Sequence, residues 1–318
     1  MQAAFCQGNS TSPSDRLRAA RTAIAAGPGL IQDWWNFVAL RLEMRPLLTL
    51  AALLALASQT ASAGTLDRIR ETGVFRIGYR ADARPYSYQD RNGQPAGYIV
   101  DLCSEVAAAL GPNIHPQYVR VPADRRFEAV RDGHVDVLCD PSSATLPRRE
   151  IVDFSLPTFV DGAGVISRTS KPVRYFEDLG GKRIGVLGGT TTEATLRKAL
   201  DELKLKATIV LAPDHRAGLD LLTDDKVDAY FADRGIIAAM LQEGGRPGLA
   251  ISNQYFSHET YALAVARDDG AFRLLVDRTL AGLYRTGKIN AILQKTFGKT
   301  PSDELLKAMI IMNSLPDQ

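Results

Sequence analysis

The sequence predicts an α/β protein whose mostly parallel sheet is divided between two lobes. Short apolar segments with strand character alternate with amphipathic helical segments from residue 66 onward, which is the order expected of a parallel sheet with covering helices. The extended run at 154–166 is predicted to carry the chain from the first lobe to the second, and the run at 261–265 to carry it back. The chain would then cross twice, and a cleft between lobes is a common ligand site.

Residues 44–63 predict a secretory signal peptide. Arg45 precedes an apolar run at 47–57, and a polar break then leads to Ala-Ser-Ala at 61–63, the small residues that a signal peptidase reads. The apolar run is short for a relaxed membrane span, and an uncleaved N-terminal anchor is the alternative. We therefore expect export through the Sec pathway to the periplasm.

Residues 1–43 are interpreted as a leader or a mis-assigned start, because signal peptides rarely carry so long an extension. They are either a translated stretch upstream of a true start at Met44 or a cytoplasmic extension, and they are left out of the fold. The predicted domains of the mature chain are residues 64–158 for the first part of lobe 1, 159–257 for lobe 2, and 258–318 for the second part of lobe 1 with a C-terminal helix.

The apolar patterns assign the elements of the first lobe in this order: a helix at 66–71, a strand at 74–79, a loop at 80–85, a tight turn at 91–93, a helix at 99–110, a strand at 117–121, a helix at 125–131 and a strand at 135–139. The strand at 74–79 alternates in polarity, and Gly111 ends the long helix. The strand at 135–139 is predominantly apolar, which is typical of a strand that is buried on both faces.

The second lobe is assigned in the same way, with strands that are followed by helices. The strands are predicted at 183–187, 207–211 and 229–232, and the helices at 192–203, 217–223 and 235–242.

Composition and cysteine content exclude several classes of protein. Hydrophobic residues make up 45% and charged residues 23%, with a net charge of +2 and both signs interspersed, so no nucleic-acid surface is indicated. Cys103 and Cys139 form an even pair in an oxidising compartment, which favours a disulfide over the alternative of two buried free thiols. No Cys or His stands at ligand spacing around either cysteine, so we expect no metal site and no cofactor.

Seven motifs in fixed order carry a resemblance to a known family. They read GVFRIGYRADARPYSY, GYIVDL, RFEAVRDGHVDVLCD, RREIVDFSLPTF, GGKRIGVLGGTTTE, VDAYFADRG and YALAVARDD. From Thr65 to Gly298 the chain resembles the periplasmic amino-acid-binding proteins of ABC importers, solute-binding family 3, and within it the glutamate/aspartate-binding members. The resemblance implies a two-lobe Venus-flytrap fold (periplasmic-binding-protein type II) with two crossover strands. It also implies a monomer that takes a free amino acid to ABC permease membrane subunits.

An amino-acid site needs a cation for the ligand carboxylate and an anion for its ammonium, because an unpaired buried charge is costly. Arg148 matches the family's carboxylate-binding arginine, whose guanidinium offers two parallel donors; a surface charge beside Arg149 is the alternative. Asp233 follows a predicted strand and matches the ammonium-binding aspartate. Capping of the next helix is its alternative role.

Two further segments match the wall around the ligand main chain. Thr190 and Thr191 follow two glycines and open a helix, whose backbone N–H groups and dipole favour an anion. Simple helix capping is the alternative for them. Ser143 matches a ligand-contacting hydroxyl, whereas Pro141 stands where relatives often carry serine or glycine and offers just its carbonyl.

Side-chain specificity is predicted from the remaining cleft residues. Arg80, Arg126 and His215 resemble the pattern of the glutamate/aspartate binders, and their added positive charge would neutralise a side-chain carboxylate. Exposed charges, or a loop hydrogen bond in the case of His215, are the alternatives. Ala83 removes the aromatic ring on which basic and aromatic ligands stack in relatives, whereas Ala123 replaces a serine expected in the acidic class.

The rival function is enzymatic, since some exported proteins of this fold are dehydratases of cyclohexadienyl or arogenate type. Such an enzyme needs a general acid in the cleft, and Glu193 is the candidate by position. Binding-only relatives also carry a glutamate there, so this residue does not discriminate between the two. No Ser-His-Asp or Cys-His set is apparent. We expect no further catalytic or signalling domain, and therefore a binding protein with no catalytic residues.

Overall fold

A computed structural model describes residues 64–298 and 303–317. The predicted leader and signal peptide lie outside the described residues. The helices are α1 Thr65–Thr72, α2 Tyr98–Leu110, α3 Arg126–Arg131, α4 Leu146–Arg149, α5 Thr191–Glu202, α6 His215–Thr223, α7 Arg234–Gly244, α8 Gly270–Arg285, α9 Ile289–Phe297 and α10 Glu304–Met312. The strands are β1 Val74–Tyr79, β2 Asp82–Ala83, β3 Ser87–Gln89, β4 Pro95–Ala96, β5 His115–Arg120, β6 Val137–Cys139, β7 Val152–Asp161, β8 Ala163–Arg168, β9 Arg183–Leu187, β10 Thr208–Ala212, β11 Ala229–Asp233, β12 Leu249–Ile251 and β13 Glu259–Ala266.

The first sheet has the strand order β5-β1-β6-β13-β7. Its first three strands are parallel, with Ile77 opposite both Tyr118 and Val137, and β13 pairs antiparallel with β6 and β7. Helices α2 and α8 cover one face, where Phe75 packs edge-on against Phe272 with ring centroids 6.0 Å apart.

The second sheet has the order β10-β9-β11-β8-β12. Strands β9, β10 and β11 are parallel, and β8 pairs antiparallel with β11 and β12. Val165, Ile184 and Phe231 are fully buried in its core. Each sheet therefore has a parallel part, whose strands direct their carboxyl ends to one edge, and an antiparallel part built from the strands that connect the sheets.

The chain passes between the two sheets twice. Strand β7 of the first sheet leads within two residues to β8 of the second, and the chain returns from β12 to β13. This confirms the two-lobe fold with two crossover strands. The predicted domain limits at 158/159 and 257/258 stay a prediction.

The extended run at 154–166 is two strands rather than one, and Gly162 separates them. A Cβ on Gly162 would lie 1.8 Å from the carbonyl oxygen of Ser257, so no side chain fits where the crossovers approach each other. Strand β6 is shorter than predicted. The sequence interpretation also omitted the small sheet of β2, β3 and β4 beside the first lobe.

The predicted disulfide is confirmed. Cys103 of α2 and Cys139 at the end of β6 are bonded, with Cα atoms 6.3 Å apart. Both cysteines are fully buried in the core of the first lobe. The bond fixes α2 against the carboxyl end of the sheet, directly before the segment that carries Asp140 and Ser143.

Candidate functional site

The predicted site residues gather where the two lobes face each other. The hydroxyls of Ser143, after β6, and Thr191, the first residue of α5, are 3.2 Å apart although they belong to different lobes. The backbone N–H of His215, at the start of α6, donates across the lobes to Asp82 at 3.3 Å. The predicted residues thus line one cleft at the carboxyl ends of the parallel strands, where open α/β sheets bind ligands.

Arg148 is held at the cleft by a helix cap and by an aromatic ring. Thr145 caps α4, because its side chain accepts a hydrogen bond from the Arg148 backbone N–H. The guanidinium lies 4.8 Å from the centre of the Phe127 ring. Its Nη1 donates to the carbonyl of Ser143 at 2.8 Å, the sole hydrogen bond of this guanidinium among the described residues. The half-buried group therefore keeps most of its donors for another partner.

The two threonines at the N-terminus of α5 differ in their contacts, since Thr190 caps the helix and Thr191 faces the cleft. Thr190 caps α5, because its Oγ1 accepts from the Glu193 N–H at 3.2 Å. The capping alternative is therefore realised for Thr190. Thr191 instead directs its hydroxyl into the cleft, where it donates to Glu259 Oε2 at 2.5 Å.

Glu259 is a cleft residue that the sequence interpretation missed. It begins β13, and its Oε2 accepts from the hydroxyls of Ser143 and Thr191, while its Oε1 accepts from Ser257 at 2.9 Å. Two hydroxyls from opposite lobes thus converge on one carboxylate oxygen. The signal was present in the sequence, because an acidic residue at the start of the returning crossover strand has to lie beside the cleft.

Asp233 ends β11 next to a second buried acid. Its side chain makes no capping bond to α7; Asp161 accepts from the Gly235 N–H at 3.0 Å instead, and from the Tyr86 hydroxyl at 2.9 Å. Burial raises the pKa of Asp233, and the neighbouring charges of Asp161 and Glu259 raise it further. A cation beside Asp233 would favour its ionised form, which is the electrostatic setting that suits an ammonium group.

Arg80 and His215 lie on one wall, where Arg80 is paired with an acid and His215 differs from the prediction in charge. Arg80 is 4% exposed and forms two parallel hydrogen bonds with Asp82, both 2.8 Å long. His215 is buried with its Nδ1 2.9 Å from the Tyr230 hydroxyl. Burial and the charge of Arg80 lower the pKa of His215 to about 4, so the ring is neutral at pH 7. The predicted positive charge of His215 is therefore wrong.

Arg126 is also buried and paired. Its Nε lies 3.3 Å from Asp140 Oδ2 and donates to Ser142 Oγ at 3.1 Å, and its Nη1 donates to the Ala123 carbonyl. Burial lowers the pKa of Arg126 to about 9, although the charge of Asp140 opposes this shift. The alternative that Arg80 and Arg126 are exposed surface charges is wrong for both.

Glu193, the candidate general acid, is engaged outside this group of residues. Its Oε2 accepts from the Gly189 N–H at 2.9 Å, and its Oε1 pairs with Arg197 one helical turn away at 2.8 Å. Within residues 64–298 and 303–317, no set of three His, Cys, Asp or Glu residues is placed to hold a metal ion. None of the helices described is both long and apolar enough to span a membrane.

Comparison with known proteins agrees with the two-lobe fold. The model of the bacterial extracellular solute-binding proteins, family 3, matches residues 75–299. An L-glutamate/L-aspartate-binding protein of Pseudomonas aeruginosa is 30% identical over 262 residues, which cover 79% of this chain and 87% of the relative.

Two further relatives differ in what they bind or catalyse. A cyclohexadienyl dehydratase of Pseudomonas aeruginosa is 33% identical over 241 residues, covering 72% of this chain and 84% of the enzyme. A solved structure of a solute receptor for L-cysteine from Neisseria gonorrhoeae superposes with a TM-score of 0.67 at 29% identity, covering 73% of this chain and 93% of that receptor.

Proposed function

Because this chain belongs to the bacterial extracellular solute-binding proteins, family 3, we propose that it captures a polar amino acid, in the first place glutamate or aspartate, between its two lobes and delivers it to the membrane subunits of an ABC importer. We further propose that it acts as a monomer in the periplasm after Sec-dependent export, with residues 44–63 as the signal peptide. The glutamate/aspartate-binding relative and the predicted signal peptide support these finer statements.

One observation carries the proposal. The hydroxyls of Ser143 and Thr191 come from opposite lobes and converge on a carboxylate oxygen, that of Glu259, while Arg148 donates to the carbonyl of the same Ser143. Donors from both lobes around one anion suit a ligand carboxylate, since binding then holds the lobes together. We assign the ligand α-carboxylate to Arg148 and to the hydroxyls of Ser143 and Thr191, which would turn to it from Glu259, and the ligand ammonium to Asp233.

The side chain of the ligand is assigned to the wall of Arg80, Arg126 and His215. The two guanidinium groups attract a side-chain oxygen, and neutral His215 is limited to hydrogen bonding. Ala83 is small and fully buried. It therefore offers no aromatic ring on which a basic or aromatic ligand side chain could stack.

Titration calorimetry with purified protein tests the proposal. Glutamate or aspartate should bind, and Arg148→Ala should abolish most of that affinity, because an unpaired buried carboxylate costs about 3–5 kcal/mol. Arg149→Ala is the matched control: Arg149 is exposed and lies over the Phe154 ring, so we expect affinity to stay within about threefold, less than 1 kcal/mol.

Three results would contradict parts of the proposal. A loss of less than about tenfold in Arg148→Ala, equivalent to about 1.4 kcal/mol, would refute the assignment of the α-carboxylate. Tight binding of lysine, arginine or histidine with none of glutamate or aspartate would refute the acidic preference, and binding of no amino acid at all would refute the capture function.

A dehydratase of cyclohexadienyl type is the second candidate, on the strength of the enzyme that is 33% identical. Its test is incubation of the purified protein with prephenate or arogenate, followed by detection of an aromatic product. The pairing of Glu193 with Arg197 and with the Gly189 N–H leads us to place this function second. Turnover at an enzymatic rate would reverse the order.

A further inference from the structure

Two carboxylates in the cleft have no part in the proposed function. Asp82 and Asp140 lie beside the two arginines that are assigned to the ligand side chain, and neither is needed for the ligand ammonium, which is assigned to Asp233. Each brings a negative charge to a wall that would otherwise attract a side-chain carboxylate.

Asp82 is paired with Arg80 through both of its carboxylate oxygens. Both of its oxygens accept from the Arg80 guanidinium at 2.8 Å, in the bidentate geometry that gives the strongest pairs of this kind. Burial alone would raise the pKa of Asp82, but the charge of Arg80 prevails and holds it below the ordinary value. The carboxylate also accepts from the His215 N–H of the other lobe, so it is fixed in the cleft.

Asp140 stands between two cations. It is 1% exposed, its Oδ1 accepts from Ser142 Oγ at 2.5 Å, and its Oδ2 lies 3.3 Å from Arg126 Nε. Oδ2 has no hydrogen-bond partner among the residues that the structure describes. The charge of Asp140 also acts on Arg148, where it favours the protonated guanidinium against the effect of burial on the pKa.

We propose that Asp82 and Asp140 are specificity-determining residues: they are built-in counter-ions of Arg80 and Arg126, and they limit how strongly the cleft prefers a side-chain carboxylate over the corresponding amide. This inference rests on the proposed function, because it concerns the ligand side chain. The two aspartates would repel a ligand side-chain carboxylate, whereas the basic residues taken alone would attract it.

The reason is electrostatic. When a ligand carboxylate enters, each arginine has to divide its donors between two anions, and those two anions repel each other in a closed cleft where water screens little. An amide brings the same hydrogen-bonding oxygen without the second charge. Discrimination by such a repulsive group is a recognised route to specificity. We therefore expect the wild-type protein to separate glutamate from glutamine by less than about tenfold in affinity.

The test compares glutamate and glutamine in isosteric variants. Asp140→Asn and Asp82→Asn each remove one charge while keeping the shape of the side chain. Calorimetric titration at pH 7 should give a glutamate-to-glutamine affinity ratio that is raised about tenfold or more in each variant. Asp132→Asn is the matched control, since Asp132 forms a surface pair with Arg131, and its ratio should equal that of the wild type.

The outcomes separate this inference from the proposed function. An unchanged or lowered ratio in Asp140→Asn and Asp82→Asn, with amino-acid binding retained, overturns the counter-ion role alone. A wild-type protein that binds neither amino acid overturns the proposed function and this inference with it. Circular dichroism establishes that each variant is folded, and if Asp140→Asn does not fold, the ratio of Asp82→Asn decides.

Discussion

The buried imidazole of His215 should make the stability of this protein fall at mildly acidic pH. His215 is 3% exposed and bonds to the Tyr230 hydroxyl through Nδ1. Burial and the nearby Arg80 lower its pKa from the ordinary 6.5 to about 4. In the unfolded chain the ring takes up a proton near pH 6.5, whereas in the folded protein it stays neutral to about pH 4.

The sign and size of the effect follow from this difference. Because the folded pKa is depressed, the contribution is fully present above pH 6.5, decreases as the pH falls from 6.5 to 4, and does not change further below that. A shift of 2.5 pKa units (6.5 to 4) corresponds to about 3 kcal/mol in total. Between pH 7 and pH 5 the part that is lost amounts to about 2 kcal/mol.

Urea unfolding of the wild type and of His215→Gln at pH 7 and pH 5 measures this quantity. The variant should be less stable at pH 7, since it loses the bond to Tyr230, but its loss of stability between the two pH values should be about 2 kcal/mol smaller. Asp161 and Asp233, whose pKa values are raised by burial, act in the opposite direction, and they contribute equally to both proteins. His134→Gln, at an exposed position, is the control and should follow the wild type.

A difference of less than about 0.5 kcal/mol between wild type and His215→Gln would refute the reasoning. The ring would then take up a proton at a similar pH, near 6.5, in the folded and unfolded chain. It would carry a positive charge in the cleft below that pH.

The disulfide and the N-terminus give two further predictions. Replacing both Cys103 and Cys139 by serine should lower the free energy of unfolding by about 4 kcal/mol for a separation of 36 residues, in the chain-entropy account; urea unfolding that is unchanged would contradict it. Mass spectrometry of the exported protein should find an N-terminus near Gly64, and an intact Met1 would contradict the signal-peptide prediction.

The sequence was sufficient for the architecture because apolar periodicity reports which faces are buried. Strands such as β1 and β9 were predicted close to their observed bounds, and the two crossovers followed from the extended runs at their positions. The break at Gly162 was missed, because it depends on a contact with Ser257 that lies 95 residues away in the chain. A close backbone contact between residues that are far apart in the chain leaves no pattern in the sequence around either residue.

Candidate residues for the site could be named from motifs, but the pairing of their charges could not. Arg80, Arg126 and His215 were predicted to supply excess positive charge. All three are buried, with Arg80 and His215 meeting at Asp82 and Arg126 paired with Asp140. Asp82 and Asp140 pair with the two arginines, and burial keeps His215 neutral. Both aspartates stand in the quoted motifs, but a motif does not show which side chains pair.

If Asp82 and Asp140 act as the proposed counter-ions, ligand preference in this cleft is a property of pairs rather than of single residues. Arg80 with Asp82 and Arg126 with Asp140 are each close to neutral as units, whereas the guanidinium of Arg148, proposed to bind the ligand α-carboxylate, makes one hydrogen bond among the described residues. A buried arginine whose counter-ion is already in place attracts a second carboxylate less than an unpaired arginine would. Two members of this family with the same basic residues are then expected to differ in ligand if one of them carries these two aspartates and the other does not.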